Sequence, residues 1–437
     1  MVFGWRKRKN FLNRQRKGDV DAELVIPSHF RCPISLDLMK DPVTLSSGIT
    51  YDRESIEKWL ESGNFTCPVT NQVLRSFDQI PNHTLRKMIQ EWCVENRKFG
   101  AERIPTPRVP VTGIEVSEIM FGVKDSAKRL DPCGCLDLVK KIRTWGSESE
   151  RNRRCIVQNG TGGALAAAFD EFAKDSYERN EIVLEEILSC LNWMLPFDAE
   201  TQNYLGSKDS LGCLVWFLRN GGSTSVKHNS IVALKELVEI QRHVEALAGI
   251  EGLAEILFKF IQHPISTKIT KSSLMLSFQL VSFNDKIRKL FVQMGLVSLL
   301  LESMIDTERS ICERALGVLD RLCDCNEGRE EAYRNALTIP VLVKKILRVS
   351  NLASEYSIST IGKLIKHEQK KNNGDGSMIL VEALQVGAFQ KVLLLLQLGC
   401  GDETKEKATE VLKSMNPYRT TLECIETADF KNLKRSF

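Results

Sequence analysis

Cys32-Pro33-Ile34 and Cys67-Pro68-Val69 are two short turns of the same make within the stretch Ile26–Asn96. Between them lies a hairpin signal, Val43 to Tyr51, with Ser46-Ser47-Gly48 as its turn. An amphipathic helix follows, Glu54 to Leu60. Asp52 stands where an N-cap belongs, Ile56, Trp59 and Leu60 share one face, and Gly63 is placed to end the helix. A second helix starts near Asn82, another capping residue, and its stripe Leu85, Met88, Ile89 and Trp92 reads as core. A zinc-built fold of this layout needs about eight Cys and His ligands in pairs, because zinc takes four N/S donors in a tetrahedron. Here Cys32 and Cys67 have no neighbouring Cys partner, and His83 adds a single scattered donor. No metal and no cofactor are expected. The shape must be held by hydrogen bonds, ion pairs and a small apolar core, with Asp37, Asp41, Asp52, Arg53 and Glu54 as candidate ties.

The chain has 437 residues, room for a small domain and a solenoid, and 43% of them are apolar, enough for a sizeable core. A net charge of +4 with near-balanced acids and bases argues against a dedicated nucleic-acid binder. The one basic cluster, Arg6-Lys7-Arg8-Lys9 with Arg14, Arg16 and Lys17, reads as a solvated arm. A nuclear-import patch and attraction to anionic lipid remain alternatives for it. No apolar run is long enough to span a membrane, and residue 2 is Val rather than the Gly of a myristoylation site. The 13 cysteines show no secretory pattern, so reduced, mostly buried thiols in a cytoplasmic, also nuclear, protein are expected. The pairs Cys133/Cys135 and Cys323/Cys325 lack partner pairs at ligand spacing and read as helix-packing or loop cysteines.

Pro105, Pro107 and Pro110 with Gly113 mark an extended linker over 97–114. From about Glu115 to Pro417 almost everything reads as helix, and the helices repeat. Gly212-Cys213-Leu214-Val215 is echoed by Gly252-Leu253-Ala254-Glu255, Gly295-Leu296-Val297-Ser298, Ile339-Pro340-Val341-Leu342 and Gly387-Ala388-Phe389-Gln390, with a weaker copy at Gly163-Ala164-Leu165. The spacing is roughly 40–50 residues, the period of armadillo and HEAT arrays. A longer helix completes each unit: His228–Ile240, Lys271–Ser282, Ser310–Cys323, Glu355–Lys366 and Lys405–Met415. No unit can bury its apolar face alone, so neighbours must stack. The glycines fit sharp turns between helices.

In the small domain, Ile26-Pro27-Ser28-His29-Phe30-Arg31-Cys32-Pro33-Ile34-Ser35, Met39-Lys40-Asp41-Pro42-Val43, Gly48-Ile49-Thr50-Tyr51-Asp52-Arg53, Cys67-Pro68-Val69-Thr70 and Ile80-Pro81-Asn82-His83-Thr84-Leu85-Arg86 occur in this order. Together they resemble the U-box of ubiquitin ligases, a RING-like domain without zinc, and the whole chain is similar to the plant U-box proteins that carry armadillo repeats. The resemblance implies a mostly α protein: a small α+β U-box over 26–96, then an all-α armadillo/HEAT-type solenoid over 115–417. A basic arm, 1–25, and a C-terminal tail, 418–437, flank them.

The resemblance also implies an E3 ubiquitin-protein ligase of the scaffold type. Its partners would be a ubiquitin-conjugating enzyme, the ubiquitin that enzyme carries, and a protein substrate held by the concave face of the repeats. A U-box dimer is an allowed assembly. The docking surface implied is Ile34 and Leu36 from loop one, Trp59 from the helix, and Pro68 and Val69 from loop two. Where many relatives carry an arginine or lysine bridging ubiquitin and the conjugating enzyme, this chain has Asn71, an uncharged donor. The competing reading is an armadillo adaptor that uses the small domain only for docking or dimerisation. Import receptors carry a Trp-Ala-Leu-x-Asn phrase on their groove. Here the matching phrases are Val232-Ala233-Leu234-Lys235-Glu236 and Gly317-Val318-Leu319-Asp320-Arg321, so basic peptides are not expected to be read in that way. Plant members linked to stress and immune signalling suggest a setting.

Overall fold

A computed structural model describes residues 26–104, 111–371 and 377–426. The basic arm, Pro105, Pro107 and Pro110, and the last eleven positions, 427–437, lie outside the described residues. The chain divides into two compact units at Pro110/Val111.

In the first unit, β1 (Pro42–Thr44) and β2 (Thr50–Asp52) form the expected hairpin, with Val43 opposite Tyr51. Gly48 takes a left-handed φ of 77° in the turn, a conformation a side chain makes costly. A third strand, β3 (Ile80–Pro81), pairs with the other side of β1, giving the order β2-β1-β3. Two residues are too short to show an alternation in sequence, and Pro81 can sit there because β3 is an edge. Helix α1 (Arg53–Glu61) follows β2, and α2 (His83–Glu95) follows β3. The core gathers Phe30, Met39, Val43, Tyr51, Ile56 and Ile89.

Two expectations need correction here. Met88, assigned to the α2 core stripe, is 46% exposed, because Ile89 and Cys93 fill the buried line of that helix. Ile104, counted in the linker, is buried in this core, and Gln90 Nε2 donates to its carbonyl at 3.2 Å.

The second unit is helical from α3 (Gly113–Lys128) to its last described residue. Thr112 opens α3 with a reciprocal cap: its hydroxyl accepts from Glu115 N–H, and Glu115 returns a bond to the Thr112 N–H. The longer helices stand where expected, but two shorter helices precede each rather than one: Gln241–Ala248 and Leu253–Gln262 before Thr267–Phe283, then Asp285–Gln293 and Leu296–Ser303 before Arg309–Leu322. The helices Leu253–Gln262, Leu296–Ser303 and Ala388–Leu398 each begin after a glycine with φ near 80°: Gly252, Gly295 and Gly387. At Gly295 a Cβ would meet nothing within 4 Å, so the backbone angle, not crowding, demands glycine there. Gly212 and Gly163 are instead inside helices, and Gly160, φ 70°, is the turn glycine of the earliest copy.

The longer helices form a row. Thr224–Leu237 packs on Thr267–Phe283, then come Arg309–Leu322, Asn351–Lys371 and Asp402–Glu426. One apolar cluster runs the length of the unit, from Val116 to Met415. Fully buried side chains such as Leu316 and Leu319 each contribute about 1.5–3 kcal/mol of burial. The array was expected to stop at Pro417, but the last helix runs through it to Glu426. Proline removes one backbone hydrogen bond and does not by itself force termination. Among the described residues, no single helix is long and apolar enough to cross a membrane.

Candidate docking site on the small domain

The two Cys-Pro turns fold identically. Cys32 N–H donates to Asp37 O and Leu36 N–H to Cys32 O, both at 2.8 Å. Cys67 N–H donates to Gln72 O and Asn71 N–H to Cys67 O, again both at 2.8 Å. Each loop closes on an isolated bridge, Arg31 with Leu38 and Thr66 with Val73. The fourth residue after each cysteine turns the chain through a left-handed conformation: Leu36 at φ 62° and Asn71 at φ 57°. Asparagine tolerates this region, whereas leucine pays about 1–2 kcal/mol. A strained, bulky residue kept at a loop tip marks a position held by the surrounding structure.

Consecutive residues of β2 anchor both loops. The Tyr51 hydroxyl lies 3.0 Å from Cys67 Sγ, and the Asp52 N–H donates to Cys32 Sγ at 3.3 Å. Burial and the Cys67 contact push the Tyr51 hydroxyl up from its ordinary range. Both thiols are fully buried. Among the described residues no group of three or more His, Cys, Asp or Glu could hold a metal. His83 faces Arg86 instead, with ring and guanidinium nitrogens 3.5 Å apart.

The polar ties centre on Asp41. It accepts Arg53 Nε at 2.6 Å and also pairs with Arg86 from α2. Arg53 reaches on to Gln79 Oε1 at 3.0 Å. Asp52 does not cap α1 with its side chain. Its Oδ1 accepts the Lys40 and Asp41 N–H groups at 2.7 and 2.9 Å, which fixes the end of loop one. Of the other candidates, Asp37 contributes its backbone carbonyl, and Glu54 makes an exposed pair with Lys58. That contact holds the Glu54 carboxyl below its ordinary range. Arg86 was missed as a tie. Its basic side chain on the apolar side of a helix start was the available signal.

The candidate docking residues divide in two. Leu36 is 68% and Val69 52% exposed, at the two loops. Asn71 is exposed beside Val69. Ile34, Pro68 and Trp59 are half-buried, and Ile34 and Trp59 rest on the core. The Trp59 indole N–H donates to Thr66 O at 2.9 Å, so α1 and the base of loop two are tied through it.

A plant U-box ARM-repeat family model matches residues 115–435, and a U-box domain model matches 26–98. The chain belongs to the plant U-box proteins with an armadillo-repeat region. U-box domain-containing protein 21 of Arabidopsis thaliana is 45% identical over 100% of both chains. E3 ubiquitin-protein ligase PUB22 of the same plant is 33% identical over 90% of this chain and 95% of its own. Among solved structures, a designed armadillo repeat protein, YIII(Dq)4CqI, covers 56% of this chain and 99% of itself at 16% identity and a TM-score of 0.46. In the U-box, then, buried Cys32 and Cys67 serve as hydrogen-bonded core. In the repeats, buried Cys135 is pushed up to about 12, and Cys325 Sγ accepts the Gly328 N–H at a helix start.

Proposed function

We propose that the chain is an E3 ubiquitin-protein ligase whose U-box docks a ubiquitin-charged conjugating enzyme and whose repeats recruit the substrate. The observation that carries the docking surface is Leu36: an apolar side chain, 68% exposed, on a loop fixed by paired backbone hydrogen bonds. Leu36 and Val69 would be the anchors, with Ile34, Pro68 and Trp59 forming the floor behind them. The relationship to relatives named as E3 ubiquitin-protein ligases supports the activity.

The chemistry belongs to the partner. A substrate lysine amine attacks the thioester carbon, the C–S bond breaks, an isopeptide bond forms, and the conjugating enzyme's thiolate leaves. Cys32 and Cys67 are buried and hydrogen-bonded, so neither is presented as an acceptor. The ligase contributes position. Holding donor and acceptor together converts a bimolecular step into a nearly unimolecular one. Asn71, two residues after Val69 on the same loop, would donate to ubiquitin or the conjugating enzyme without adding charge. Reconstitution with activating enzyme, a panel of conjugating enzymes and ubiquitin tests the reading. Chain synthesis by the full chain is expected. Its absence across the panel would favour the adaptor reading.

A further inference from the structure

Four consecutive long helices enclose a cavity of about 310 Å³. Its lining runs diagonally, from Val238 at the end of the Thr224–Leu237 helix to Leu352 in the first turn of the Asn351–Lys371 helix. The floor is aromatic. Phe278 and Tyr356, from different helices, have ring centroids 6.1 Å apart. Both rings settle on Gly317 of the helix between them, where a Cβ would lie 3.0 Å from Tyr356 Cε2 and 3.3 Å from Phe278 Cδ2. Glycine in a helix interior costs about 1 kcal/mol relative to alanine. Here it lets the two rings approach the helix backbone. Met275 and Leu352 remain 36% and 43% exposed at the rim.

A second cavity, of about 240 Å³, shares Tyr356 and is charged: Arg321, Glu355, Lys363 and Glu403 are among its lining. Its lysines are paired. Lys363 pairs with Asp320 and Asp324, Lys407 with Glu403, and Arg321 lies over the Phe278 ring. Glu355, in this second cavity, has no ion-pair partner among the described residues. Glu239 and Glu313 line the first cavity together with Lys235 and Arg314, and Glu313 is met by the Ser350 hydroxyl. A mainly apolar hole that shares Tyr356 with a charged one carrying the unpaired Glu355 suits a chain segment that can address both. A compact small molecule would fill only one.

We propose that this pair of cavities binds an extended segment of the protein substrate, a large apolar side chain resting on the packed rings of Phe278 and Tyr356 and a nearby Lys or Arg facing Glu355. The inference rests on the reading that the repeats recruit the substrate. It differs from recognition of a purely basic peptide, because the apolar side chain is the anchor and the cation is secondary.

The test is selection of a random-sequence peptide library, displayed on phage, against the full-length protein. Selected peptides should share one Leu, Met or Phe with a Lys or Arg close by. Leu352→Glu and Met275→Glu change exposed rim residues, and each should cut peptide binding about tenfold while free ubiquitin-chain synthesis is unchanged. Glu355→Lys should invert the preference for the flanking cation and keep the apolar anchor. The proposal is overturned if no peptide is enriched, if the enriched set lacks a large apolar residue, or if both rim variants bind it as the native chain does. Recruitment itself would fail separately: removing the repeats would then leave substrate modification intact.

Discussion

Asp41 and Arg53 form an ion pair at 2.6 Å, with only 20% and 15% of their side chains exposed. Arg86 shares the same carboxylate and is 11% exposed, so two largely buried cations lean on one acid. Removing one member of such a group leaves uncompensated charge, which costs far more than the group gains over an apolar replacement. Asp41→Ala should therefore destabilise the U-box by about 3 kcal/mol. Thermal unfolding followed by circular dichroism should show the U-box transition falling and the repeat transition unmoved. An unchanged U-box transition would mean the pairs are solvent-screened and the domain is held by its apolar core.

At Leu36, backbone strain and apolar exposure oppose each other, and one substitution separates them. Leu36→Gly removes the left-handed penalty and should raise U-box stability by up to about 1 kcal/mol. It also removes the proposed anchor, so ubiquitin discharge should fall about tenfold. Loss of both stability and discharge would place Leu36 in the core.

Asn71 suits its φ of 57°, and an arginine there would not. Asn71→Arg should cost about 1 kcal/mol in U-box stability. If the added charge bridges ubiquitin and the conjugating enzyme, discharge from a charged conjugating enzyme should still speed up. A stable variant with slower discharge would show that the amide, not a missing charge, is what this surface uses.

The twin loops were legible in the sequence as Cys-Pro turns, but their shared left-handed residue was not. Leucine carries no signal for that region, and Asn71 alone is a weak one. The Asn82 cap was readable because its side chain accepts the Leu85 N–H, a contact local in sequence. Asp52 was misread because a short carboxylate before a helix can serve either the helix or a neighbouring loop. Here the Lys40 and Asp41 amides win. Arg86 escaped because its partner Asp41 is 45 residues away. The repeat phrase exposed the array, since Gly252, Gly295 and Gly387 need the same backbone angle each time. The cavity at Gly317 was hidden, because it depends on rings from two other helices.

The repeats should be acid-sensitive through His243. It is buried, its Nδ1 lies 3.0 Å from Leu237 O, and Nε2 faces the Arg242 guanidinium at 3.3 Å. Burial, with Arg242 adding to it, pushes this imidazole below its ordinary range. The folded state keeps His243 neutral while the unfolded chain binds a proton. Stability is thus fully present above the unfolded value of about 6.5 and is lost as pH falls below it. Urea midpoints for the repeat region should drop on acidification, and His243→Gln should flatten that slope. An equal slope in the variant would assign the effect to other groups.

The most direct measurement is single-turnover discharge of ubiquitin from a charged conjugating enzyme to free lysine, with the full chain present. Native protein should accelerate discharge, and Leu36→Glu should abolish the acceleration while thermal unfolding stays unchanged. Equal acceleration by Leu36→Glu, or none by the native chain with any conjugating enzyme tried, would contradict the account.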